Sequence, residues 1–272
     1  TKYKDFLTKR ISKIFIPLLG LSVIYYSYYV YIGYYGFSIT DFIEMFSTNQ
    51  ISYHLWFIYM MLGLYLITPI VKIFVKNASE KDIRYFLILW FYASVVAKLL
   101  RYFYGYSFDI ELYYVTNYVG YYILGYYLFR YEISLRLRKI IYVGAIAGLL
   151  ATFFLTYIFT IKADGALEEF WYEYHSPNVM LATIGIFVLL KYMPLNSDRK
   201  LPRIFSLINT TSFGIYLVHM LVLSILSTKF SFIWFDVHPI VAIPYKLILT
   251  LAISVTIIMV MKKIPYINKL VP

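Results

Sequence analysis

Cysteine is absent from the 272 residues, which excludes disulfides, thiolate nucleophiles and cysteine-ligated metal or iron–sulfur centres. Charge is scarce as well: Asp, Glu, Lys and Arg make up 14% of the chain, against about 25% in soluble domains. Histidine occurs only four times, and no tight grouping of Asp, Glu and His suggests a metal site. There is no G-x-x-x-x-G-K-[ST] or G-x-G-x-x-G phosphate loop and no H-E-x-x-H pair. The lack of a strong internal repeat disfavours inverted-repeat transporters.

What is abundant is apolar residue. With 61% hydrophobic residues and a mean hydropathy of +0.70, the chain has too little polar surface to cover a water-soluble globule. An all-α, polytopic membrane helical bundle in contact with lipid is expected. Eight apolar runs of about 15–23 residues, close to the length a bilayer core requires, cover approximately Ile14–Ile32, Leu55–Phe74, Tyr85–Tyr102, Tyr114–Phe129, Ile140–Ile161, Asn178–Tyr192, Ile204–Leu226 and Ile240–Met261; the fourth is interrupted by glycine and the sixth is short. Charged clusters and prolines such as Pro177, Pro202, Pro239 and Pro265 separate them.

The net charge of +11 is distributed in a way that argues for membrane orientation and against nucleic acid. Lys and Arg concentrate in alternate connections: Lys2 to Lys13, Lys72 to Arg84, Arg130 to Lys139, Lys191 to Arg203, and the tail with Lys262, Lys263 and Lys269. The intervening connections hold Asp41, Glu44, Asp109, Glu111, Asp164, Glu168, Glu169, Glu173 and Asp236. The positive-inside rule then places both ends in the cytoplasm. The sequence opens with TKYKDFLTKR, which has the character of a loop between two helices rather than of a signal peptide. The chain is therefore expected to be one transmembrane domain over 1–272, incomplete at its N-terminal side.

Polar groups inside a span are costly and normally face a bundle interior or a wet cavity. The stretch HLWFIYMMLGLYLITP, His54–Pro69, opens a span with a histidine that a plain anchor has no need of. With Ile58, Met61, Tyr65 and Thr68 it follows one helical face. A histidine there can serve as a general base, its basicity tuned by partial burial, or can simply bond a loop carbonyl. In the seventh span Asn209, Ser212, Tyr216 and His219, spaced 3, 4 and 3, share a face. They read as a substrate wall or as interhelical hydrogen-bonding glue. Lys246, Thr250 and Ser254 form a similar stripe in the eighth span, where Lys246 either meets substrate or snorkels to the interface.

Ser94, Lys98 and Arg101 end the third span; the two cations could hold an anionic sugar or carboxylate, or pair with Asp109 or Glu111. Arg10 and Lys13, one turn apart, could clamp a phosphate-bearing donor or merely anchor the helix at the membrane surface. His175 and His238 read as ordinary loop histidines.

Several of these stretches together resemble the acyltransferase-3 family of bacterial membrane O-acyltransferases, in particular the branch acting on surface polysaccharides. They are KRISKIFIP (Lys9–Pro17), HLWFIYMMLGLYLITPI (His54–Ile70), YYILGYYL (Tyr121–Leu128), YHSPNVMLATIGIFVLLK (Tyr174–Lys191) and SFGIYLVHM (Ser212–Met220). The resemblance implies about ten helices in the bacterial plasma membrane. It also implies an acyl-CoA donor, acetyl or succinyl, and a hydroxyl of a cell-surface glycan or lipid-linked precursor as acceptor.

The family's R-x-x-R motif, thought to engage the donor, matches Arg10 and, with loss of the bidentate fork, Lys13. The arginine and catalytic histidine of the family's first helix have no counterpart in this sequence, so the first two helices are expected upstream. Within the chain, His54 is the catalytic candidate, and Tyr216, His219, Lys98, Arg101 and Lys246 are the substrate candidates. The alternatives are a polysaccharide exporter or flippase and a scaffold without chemistry.

Overall fold

The computed structural model describes residues 2–106, 117–194, 203–229 and 238–271. The described residues are helical without strands. The helices are α1 (Lys2–Tyr31), α2 (Ile39–Ser47), α3 (Trp56–Asn77), α4 (Glu80–Phe91), α5 (Ala97–Tyr104), α6 (Tyr118–Arg130), α7 (Leu135–Lys162), α8 (Pro177–Tyr192), α9 (Arg203–Lys229) and α10 (Pro239–Lys263).

Six stretches are long and apolar enough to cross a membrane: Lys4–Tyr31, Tyr53–Asn77, Glu80–Tyr104, Leu135–Lys162, Phe205–Lys229 and Pro239–Lys263. They coincide with six of the eight expected runs. The other two fall on α6 and α8, which have 13 and 16 residues. That is about 20 and 24 Å of helix against a hydrocarbon core of about 30 Å.

The chain divides into two compact units, Thr1–Ile67 with Asp198–Pro272, and Thr68–Ser197. In the first unit Leu18, Leu21, Tyr25, Ile58, Leu217 and Ile258 are 1% exposed or less and share one core. Helices α9 and α10 run antiparallel. Lys262 Nζ donates to the Thr210 carbonyl at 2.7 Å, and four residues on, Gly214 lets Ile258 approach so closely that a Cβ would come within 2.8 Å of it. This register sets Ser254 level with Val218. Helix α1 runs parallel to α9: Tyr25 bonds the α9 backbone at Leu217, and Tyr28 Oη lies 3.2 Å from Ser224 Oγ. Lipid tails are as apolar as leucine, so packing and such polar contacts fix the register. The short α2 is capped by Ser38 Oγ, which accepts from the Asp41 N–H at 3.2 Å.

In the second unit α7 and α8 pack through small residues. Gly148 meets the Asn178 carbonyl and Gly185 meets Ala145 so closely that no Cβ fits at either. Lys191 Nζ caps the end of α6 by donating to the Leu128 and Tyr131 carbonyls at 3.0 and 2.7 Å. Between α4 and α5 a π turn over Tyr92–Val96 interrupts the 3.6-residue period. That turn explains why the Ser94, Lys98, Arg101 stripe does not form one face. Ser94 is 2% exposed and accepts from the Asn117 N–H at 3.1 Å, whereas Lys98 and Arg101 are exposed.

Candidate functional site

The chain enters α3 through a turn of 3-10 helix, Tyr53–Leu55, whose N-cap Ser52 makes no capping bond with its side chain. The Ser52 hydroxyl instead lies 3.1 Å from His54 Nδ1, and both residues are 6% exposed. The other ring nitrogen, His54 Nε2, lies 3.4 Å from the Leu217 carbonyl of α9. Tyr216, the preceding residue on α9, donates its hydroxyl to the His54 carbonyl. One turn further, His219 folds back on its own helix, with Nδ1 2.6 Å from the Tyr216 carbonyl. The three rings meet: His54 and His219 centroids are 5.2 Å apart and edge-on, and Tyr216 is 5.7 Å from each.

Behind this group stands Tyr25 of α1, fully buried, with its ring 5.1 Å from that of His54. Its hydroxyl donates to the Leu217 carbonyl at 3.0 Å and accepts from the Leu221 N–H, also at 3.0 Å. These two backbone groups are four residues apart and would ordinarily bond each other. The tyrosine thus touches both groups of one rung of α9, at the carbonyl that also faces His54.

Of the sequence candidates, His54, Tyr216 and His219 come together. The lower half of the seventh-span stripe does not join them: Asn209 and Ser212 are exposed, and Ser212 Oγ bonds back to the Asn209 carbonyl at 3.1 Å. Lys246 stands on α10, twelve residues before Ile258 and thus about 18 Å along the helix. Arg10 and Lys13 are exposed near the start of α1. They precede Tyr25 by fifteen and twelve residues, or about 22 and 18 Å, so one helix carries the cationic pair and the tyrosine that abuts His54.

Lys98 and Arg101 belong to the second unit. Lys98 pairs with Glu173 at 3.7 Å; Asp109 and Glu111, the partners considered from the sequence, lie outside the described residues. His238 accepts from the Ile240 N–H at 3.3 Å and caps α10, as a loop histidine can. His175 is 6% exposed, with its ring against Tyr118 and Tyr121. Burial, and then the charge of Lys98, hold its imidazole below the ordinary 6.5 despite the Asn117 backbone bond and Glu173.

The participants missed in the sequence are Tyr25 and Ser52. Tyr25 is hidden among 32 tyrosines, although its spacing from Leu18 and Leu21 marks the buried face of α1.

A family model described as an acyltransferase domain matches residues 1–259. The chain belongs to the acyltransferase-3 family. The match runs through both units and takes in the imidazole group as well as Arg10 and Lys13. Comparison with curated proteins and with solved structures gives no match. Family membership and six span-length helices together make this a multi-pass membrane protein of acyltransferase type.

Proposed function

We propose that the protein is an O-acyltransferase of the bacterial plasma membrane. It moves an acetyl or succinyl group from acyl-CoA to a hydroxyl of a cell-surface glycan or its lipid-linked precursor. The observation that carries this reading is the meeting of His54, in the turn that enters α3, with Tyr216 and His219 of α9, on a chain whose α1 holds a cationic pair about 20 Å of helix from Tyr25. Both ends face the cytoplasm by the distribution of Lys and Arg, with α6 and α8 completing eight membrane segments. Arg10 and Lys13 meet the CoA phosphates at the cytoplasmic side, Arg10 as the forked donor and Lys13 as a point charge. The thioester reaches along α1 toward the imidazoles. His54 helps to place the acceptor hydroxyl or to take its proton, with Tyr216 and His219 beside it as substrate contacts. Lys98, Arg101 and Lys246 are proposed contacts for the glycan.

The test is transfer of labelled acyl groups from acyl-CoA by the full-length protein in proteoliposomes, together with the acyl content of surface glycan in a deletion strain. The reading predicts transfer in vitro and glycan that is exported but unacylated in the deletion. Retained polymer with its acyl content intact would contradict it and point to an exporter. Arg10→Ala should raise KM for acyl-CoA more than it lowers kcat.

A further inference from the structure

We propose that the tyrosine rings at the end of α1 form a stacking shelf for the sugar residues of the acceptor glycan, with Tyr34 as its exposed face. This rests on the acyl-transfer reading above and names how its acceptor is held beside His54. The shelf lies wholly within the first unit.

The end of α1 builds it. The Gly33 N–H donates to the Val30 carbonyl at 3.0 Å and the Tyr34 N–H to the Tyr29 carbonyl at 2.8 Å. This pair of bonds closes a helix when the residue after it is left-handed, and Gly33 has a φ of +78°. The turn folds Tyr34 and Tyr35 back on the helix, where their rings lie 5.7 and 5.6 Å from that of Tyr29. Tyr35 also stacks on Tyr26, at 6.0 Å and 17°. The Tyr26 hydroxyl donates to the Ser38 carbonyl at 2.8 Å and ties the far end of the loop to α1. The rings are therefore held in place before any ligand arrives.

Tyr29 in turn lies 6.3 Å from Tyr25, whose ring is 5.1 Å from that of His54. An unbroken row of rings thus runs from the buried imidazole to Tyr34, which is 70% exposed. A tyrosine that only marks a membrane surface has no need of such a row. Tyr31 is of that simpler kind: it is 77% exposed at the same helix end, and no described ring packs on it.

The chemistry that fits the shelf is a pyranose. Its C–H face packs on an aromatic ring, and its hydroxyls find the polar end of the phenol. The hydroxyls of Tyr29, Tyr34 and Tyr35 bond no described residue. The charged residues between Ile32 and Tyr53 are Asp41 and Glu44, so a neutral sugar suits this loop better than an anionic one. By the distribution of Lys and Arg the loop faces away from the cytoplasm, where a surface glycan is met.

The experiment uses the full-length protein in proteoliposomes and, as probe, the unacylated surface glycan purified from the deletion strain. Binding of that glycan without acyl-CoA, and its KM and kcat in labelled acyl transfer, are measured for wild type, Tyr34→Ala, Tyr34→Trp and Tyr31→Ala. Tyr34→Ala should weaken glycan binding and raise its KM at least about fivefold, with kcat and the KM for acyl-CoA within about twofold. Tyr34→Trp keeps a stacking face and should stay within about twofold of wild type, as should Tyr31→Ala. A wild type that binds no glycan, unchanged binding in Tyr34→Ala, or an equal loss in Tyr31→Ala overturns the shelf; acyl transfer by the wild type keeps the broader reading intact in each case. Glycan that binds through Tyr34 to a wild type that transfers no acyl group overturns the broader reading and leaves the shelf standing.

Discussion

The two units each bury a histidine, and they do so on different terms. In the first unit His54 is closed in by Tyr25, Tyr216 and His219, and each of its ring nitrogens has a named partner. In the second, His175 is equally buried, yet its Nε2 has no hydrogen-bond partner among the described residues. It sits beside Lys98, whose charge works against a second one. The first arrangement orients an imidazole through two bonds and presents a second imidazole next to it. The second holds a neutral ring against Tyr118 and Tyr121 as packing. Burial alone therefore does not set a histidine's role; what its two ring nitrogens bond does.

The largest effect is expected at Tyr25. In Tyr25→Phe the ring stays and only the hydroxyl goes, with its bonds to the Leu217 carbonyl and the Leu221 N–H. Stability should change by less than about 1 kcal/mol. Acyl transfer should fall about 10- to 100-fold, because the carbonyl that anchors His54 shifts and small misplacements are costly. Thermal unfolding in detergent beside transfer rates in proteoliposomes separates the two effects. In the second unit Tyr118→Phe should leave transfer unchanged.

Gly148→Ala comes next. A Cβ there strikes the Asn178 carbonyl, and forcing apart the α7–α8 contact should cost about 1–3 kcal/mol, read as a lower unfolding midpoint. The effect on transfer per folded molecule should be small.

A pH series sharpens the contrast. The folded state holds His175 below its ordinary 6.5, so the unfolded chain binds the proton more readily. That contribution to stability is complete above 6.5 and is lost as pH falls below it. The unfolding midpoint should drop on acidification, and His175→Gln should flatten that part of the profile. The smallest effect belongs to Lys98→Ala. Its pair with Glu173 is half exposed, and such pairs contribute about 0–1 kcal/mol.

Much of this was legible in the sequence, and the rest was hidden for identifiable reasons. Hydropathy alone marks eight runs, of which six are helices of span length, and His54 and His219 stand out because histidine is costly at membrane depth. That they meet could not be read, since 165 positions separate them and periodicity says nothing of which helices pack. The same limit hid the Lys98–Glu173 pair. The seventh-span stripe was divided because a shared face does not say how far the neighbouring segment follows it: Tyr216 and His219 meet His54 in the turn that enters α3, while Ser212 is exposed. The π turn at Tyr92–Val96 was invisible to any reading that assumes a constant 3.6 period. Tyr25 had the right spacing but no distinguishing chemistry among its many like neighbours.

The proposed acyl transfer depends on the imidazoles of the first unit. The most direct measurement is labelled acyl transfer by full-length His219→Ala, His54→Ala and His175→Ala side by side, each normalised to monodisperse protein. At least about tenfold loss is expected for each of the first two, and transfer within about twofold of wild type for the third. Transfer that survives in the first two and disappears in the third would contradict it.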